Sequence, residues 1–139
     1  MQAQNILHFW FNELTDKQHF AKDAGLDEAI RTRFGAILDA AANCELFAWR
    51  ATPEGRLAEI IVLDQFSRNV YRDTDRAFAQ DALALGLAQE LVARGQDSAL
   101  STPQRRFAYM PYMHSESALI HAQAIQLFAK TGLEEALDF

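Results

Sequence analysis

Cysteine, proline and glycine are all scarce in this sequence: one, three and six in 139 residues. The single cysteine, Cys44, excludes an intrachain disulfide and a thiolate-rich structural zinc site. It fits a reducing, cytoplasmic location. Few turn-formers leave little room for the frequent reversals of an all-β fold. Long apolar runs are missing too. The densest, Ile60-Ile61-Val62-Leu63, falls far short of the roughly 20 residues that cross a bilayer. Met1-Gln2-Ala3-Gln4-Asn5 has neither the basic start nor the apolar stretch of a secretory leader. No membrane association is expected. Basic charge is not in excess: 13 basic residues face 19 acidic ones, a net charge of −6. That balance opposes binding to nucleic acid, and the one basic doublet, Arg105-Arg106, is too small a footprint for it. Neither G-x-x-x-x-G-K-[ST] nor G-x-G-x-x-G occurs, and there is no G-x-S-x-G nucleophile elbow. No cofactor is expected.

What the chain does have is 24 Ala and 16 Leu, together more than all its charged residues, and a 50% hydrophobic composition. These are helix formers, and the length suits one core. The expectation is a single all-α domain over residues 1–139. A first helix spans 3–12, with Ile6, Leu7 and Trp10 on one face, and a polar interruption follows at 16–23. A second covers 26–42, where Leu26, Ile30, Phe34, Ile37, Leu38 and Ala41 form an amphipathic stripe. A short helical turn at 45–50 offers Leu46, Phe47 and Trp49; these aromatics, with Phe9, Trp10 and Phe11, are expected in the core. The third long helix has an explicit start: Thr52 as cap, Pro53 in the first helical position, Glu54 at the positive end. Its apolar residues, Leu57 to Phe66, point in every direction, so it should be the central, buried helix. A fourth, capped by Asp73, Thr74 or Asp75, should run to Arg94 before Gly95 with Phe78 on an apolar side. A short helix after Thr102-Pro103 should end at Met110. Past Pro111, a helix over 115–130 and a final apolar segment, 133–139, complete the chain.

Two places carry chemistry. Asp64 and Arg68 lie four apart on the central helix, on the face of Leu57, Ile60 and Ile61. Charges inside apolar packing persist only when paired. Either they form an internal ion pair that fixes helix register, or they floor a pocket in which Arg68 awaits an anionic group. The second place is Met113-His114-Ser115-Glu116-Ser117. On one helical wheel His114, Ala118, His121, Ile125 and Phe128 share a face. Two histidines seven apart rise about 10.5 Å along a helix, too far to share a metal, so no metal site is expected. His114 with Glu116 or Asp64 would make a general acid–base pair, or His114 is a hydrogen-bonded core residue. Cys44 is followed by Glu45 and has no cation beside it to activate it.

The central stretch, Thr52-Pro53-Glu54-Gly55-Arg56-Leu57-Ala58 and Leu63-Asp64-Gln65-Phe66-Ser67-Arg68-Asn69-Val70-Tyr71-Arg72, resembles the bacterial family known as domain of unknown function 924. Ile6-Leu7-His8-Phe9-Trp10-Phe11, Ile30-Arg31-Thr32-Arg33-Phe34, Ala77-Phe78-Ala79-Gln80-Asp81, Arg106-Phe107-Ala108-Tyr109-Met110-Pro111 and His114-Ser115-Glu116 resemble it in the same order. The resemblance implies an array of antiparallel helix pairs, a tetratricopeptide-like superhelix, in a bacterial protein. It implies no activity and no catalytic residues. Its D-Q-F-x-R-N and H-S-E motifs fall on the two places already singled out. Ser67 stands where the family usually has proline, and Tyr112-Met113 depart from its usual P-L-x-H-S-E. Family members continue for some tens of residues beyond Phe139, which implies that Leu133, Leu137 and Phe139 form an exposed apolar patch able to drive self-association. Three functions stand open: a small-ligand or peptide binding module centred on Asp64, Arg68, His114 and Glu116; a hydrolase using His114 and a carboxylate; or an interaction protein whose polar cluster only fixes packing.

Overall fold

The central helix explains the rest of the architecture. In the computed structural model, which describes residues 1–132, Thr52 is extended and its Oγ1 accepts the Gly55 N–H at 3.0 Å. Pro53 then occupies the first turn, where a missing N–H is harmless. Helix α4 (Pro53–Ile61) passes into a widened π turn, Val62–Phe66, and on into α5 (Ser67–Val70) as one rod. Every residue from 55 to 67 is buried, as the all-round apolar pattern requires. Even Glu59 is buried, its two oxygens held by Arg50 Nε and Nη2 at 2.8 and 2.7 Å.

Other helices wrap this rod. Helix α1 (Ala3–His8), continued by a π turn at Phe9–Glu13, packs on α4. Helix α3 (Ala24–Ala42), capped by Asp23, turns Leu26, Ile30, Phe34, Leu38 and Ala41 inward and covers the π turn and α5. Helices α6 (Asp81–Ala93) and α7 (Thr102–His114) close the remaining sides, and α8 (Ala118–Lys130) packs on α7. Phe9, Phe34 and Phe66 form the aromatic centre, with ring centroids 4.8 Å apart for Phe9–Phe34 and 5.1 Å for Phe34–Phe66. The fold is all-α, with no strand among the described residues. None of the described helices is long and apolar enough to cross a membrane.

Four local expectations are corrected. The polar stretch after α1 holds a short helix, α2 (Asp16–Phe20), because Thr15 and Gln18 form a capping box. The helix expected from 73–75 begins only at Asp81. Asp73 takes a positive φ of 66° and Asp75–Phe78 is a single 3-10 turn, which leaves Phe78 exposed. Pro111 does not end its helix: α7 runs through it to His114, and the break comes at extended Ser115. His114 and His121 therefore sit on different helices, not on one wheel. Phe47, expected in the core, is exposed, whereas Phe9 and Trp10 are buried. The apolar segment with Leu133, Leu137 and Phe139 lies outside the described residues.

Candidate functional site

Asp64 sits in the π turn, 1% exposed, with three donors on its carboxylate. Arg68 Nη1 reaches Oδ1 at 3.2 Å and also the Asp64 carbonyl at 2.9 Å. Gln65 Nε2 reaches Oδ2 at 2.8 Å. His114 Nδ1, brought by the last residue of α7, reaches Oδ1 at 2.8 Å. A carboxylate only accepts, so it orients all three. It holds the His114 proton on Nδ1 and leaves Nε2 with the lone pair in the neutral ring.

The expected ion pair is thus present, but it is larger than a pair. Arg68 donates end-on to Asp81, the first residue of α6, with Nη1–Oδ1 at 2.8 Å and Nη2–Oδ2 at 2.9 Å. The exposed Phe78 ring lies 5.3 Å from the same guanidinium. Both oxygens of Asp81 occupy the fork that an anionic ligand was expected to fill. Glu116 is not drawn in: it is exposed and makes no ion pair among the described residues.

A second carboxylate organises the next stretch. Asp27 of α3 accepts from Asn69 Nδ2 at 2.8 Å, Arg72 Nε at 2.6 Å and Arg72 Nη2 at 3.1 Å. Burial alone would raise its pKa. The bonds from Arg72 and Asn69, with the charges of Arg72 and Arg31, outweigh burial and hold it below the usual range. Arg72 is in turn pushed up, chiefly by its bond to Asp27.

These networks stand behind an open cleft of about 790 Å³. Phe20, Met110, Met113 and Ile125 give it an apolar wall. Gln65, Arg68, Asn69 and Arg72 supply polar edges, and His19, His114 and His121 also face it. His19 is fixed from behind: its Nε2–H donates to the Trp10 carbonyl at 2.7 Å and its ring stacks on Trp10, centroids 4.5 Å apart. Burial lowers its pKa, against the pull of that carbonyl. A second cleft of about 590 Å³ holds Phe78, Asp81, Leu85 and Glu116. Arg68 and His114 line both clefts and form the wall between them.

Of the four residues singled out in the sequence, three converge and Glu116 only borders the neighbouring cleft. Asp27, Arg72, Asp81 and His19 were missed. A signal existed for Arg72, which follows Arg68 by four residues, and for Asp81, which closes the Ala77–Asp81 motif. Nothing local marks Asp27, whose partners Asn69 and Arg72 are distant in the chain, or His19, which meets Trp10 only because the chain turns back between α1 and α2. The described residues contain no group of three or more His, Cys, Asp or Glu able to hold a metal. Cys44 is exposed at a positive φ of 59°, after α3, and takes no part. Arg105 caps the carbonyls of Asp97 and Ser98, and Arg106 covers the ring of Phe20, so the basic doublet has a structural use.

A family model described as a bacterial protein of unknown function (DUF924) matches residues 6–138. The solved structure of the protein of unknown function ATU0120 from Agrobacterium tumefaciens is similar, with 35% identity and a TM-score of 0.89. The match covers 98% of this chain and 80% of that one. No curated protein matches.

Proposed function

Since the chain belongs to the bacterial family of unknown function DUF924, and that membership carries no activity, we propose on geometry alone that it is a binding module for a small amphipathic ligand or peptide. The observation that carries this reading is the 790 Å³ cleft. Its volume falls within the roughly 300–1,000 Å³ of small-molecule sites, and it joins an apolar wall to a few fixed polar groups. The carboxylates behind it make those groups rigid. Asp64 and Asp27 each take an amide N–H₂, which turns Gln65 Oε1 and Asn69 Oδ1 away from the carboxylates. The successive packing of α6, α7 and α8 supports a tetratricopeptide-like arrangement, whose concave faces commonly receive ligands.

The test is a fragment mixture followed by methyl NMR. Shifts confined to the Met110, Met113 and Ile125 methyls are expected, with those of Leu38 and Ile60 in the core unmoved. Met113→Trp, which fills the cleft, should abolish them. Fragments that scatter over the surface, or that ignore the tryptophan, would defeat this reading.

One observation favours a second reading, a hydrolase. The 2.8 Å contact between buried Asp64 and His114 Nδ1 is the arrangement that makes an imidazole Nε2 a general base toward water. A panel of ester, amide and phosphoester substrates tests it. Turnover lost in His114→Gln, with the fold retained, is the expected result; equal rates in both proteins dismiss it.

A further inference from the structure

The charged side chains that line the larger cleft are all basic, although three carboxylates lie close by. Asp64 and Asp27 are behind the surface, and Asp81 faces the other cleft. The two arginines differ in what they have left. Arg68 already has its end-on fork, Nη1 and Nη2, on Asp81. Arg72 is held by its other edge: Nε and Nη2 go to Asp27. Nη1, with two N–H groups, and the second Nη2 hydrogen remain without a partner among the described residues. They form a complete end-on fork on a guanidinium that Asp27 has already oriented.

We infer that Arg72 anchors the carboxylate of a monoanionic amphipathic ligand, whose apolar body lies against Phe20, Met113 and Ile125. This rests on the cleft being the binding site and adds the class of its ligand. Charge favours a carboxylate over a phosphate. Asp27, Asp64 and Asp81 outnumber the two arginines, so the surrounding charge repels a dianion about twice as strongly as a monoanion, and a single fork has less to set against it. The C-terminal ends of the central rod and of α7 also border the cleft, and helix C-termini repel negative charge. One fork suits one carboxylate.

Octanoate, octan-1-ol and octyl phosphate are the probes, titrated calorimetrically and followed on the Met113 and Ile125 methyls and the Arg72 guanidinium resonances. On the unaltered protein, octanoate should bind about tenfold or more tighter than octanol, the scale of a charge-assisted hydrogen bond. It should shift the Arg72 signals, and Arg72→Gln should bring the ratio close to one. Should that variant not fold, the ligand pair and the Arg72 signals decide on the unaltered protein. Equal binding of octanoate and octanol overturns the inference while leaving the binding module standing. Tighter binding of octyl phosphate overturns the choice of anion. Failure of all three to move the cleft methyls overturns both.

Discussion

Replacing Asp64 by alanine tests whether the polar cluster holds the fold together as well as lining the cleft. Three donors lose their acceptor at once. The Gln65 amide is buried, the His114 Nδ1–H faces the void, and Arg68 keeps only Asp81 and a backbone carbonyl. Breaking a buried ion pair typically costs about 3–5 kcal/mol, because the remaining charge stays desolvated. Here Arg68 is 22% exposed and retains its Asp81 fork, so the lower end, about 3 kcal/mol, is expected. Unfolding entropy near 2.1 cal/mol/K per residue gives a chain of this length about 0.3 kcal/mol/K, and hence a fall in Tm of about 10 °C. Urea titrations followed by circular dichroism at 222 nm measure the loss, with an unchanged m-value to show that the compactness of both states is preserved. A loss under about 1 kcal/mol would refute the reasoning, since that is the scale of an exposed pair. Asp64 would then be free to serve the cleft alone.

Gly55→Ala should destabilise by about 3 kcal/mol, because an added Cβ would lie 1.8 Å from the Trp49 carbonyl oxygen and the turn Phe47–Ala51 would have to move. The same urea assay decides; a gain of about 1 kcal/mol, the ordinary helical preference for alanine, would show that the contact is absent. His19 supplies a pH test. Its folded pKa lies below the unfolded value near 6.5, so the unfolded chain binds more protons and stability is lost as pH falls from about 6.5 toward the folded pKa. His19→Gln should flatten the part of the stability curve between about pH 7 and 5, and identical slopes in both proteins would remove His19 as a source.

Much of this fold was legible because burial leaves a period in the sequence. The stripe of α3 and the all-round apolar rod were visible from spacing alone. Pro111 misled because the local rule, that proline ends a helix, yielded to packing: the residue is buried within α7, and the stop comes from Ser115. Asp64, Arg68 and His114 stood out as polar groups interrupting apolar stripes. Arg72 and Asp27 did not, since each looks like an ordinary surface charge until α3 lies across the end of the rod. Glu116 was included for its nearness to His114, but the extended link after α7 leaves it outside the network. Ser67 carries a related message. Its hydroxyl is buried without a partner among the described residues, in keeping with the proline of the resembled motif.

The widened turn at Val62–Phe66 has a consequence for how the cleft could be lost. Such a turn accommodates one residue more than regular winding would. Excising one of these five positions would let ordinary winding resume with α5 still in register, whereas one more residue added to the rod, beyond the one the turn already takes up, would swing everything after it by about 100° and advance it by about 1.5 Å. Arg68, Asn69 and Arg72 would leave their partners together, while Leu57, Ile60 and Ile61 upstream would stay seated. The smallest edit that erases the chemistry and spares the upstream packing is therefore an insertion, and the span between Thr52 and Arg68 is as much a determinant of the cleft as the side chains that face it.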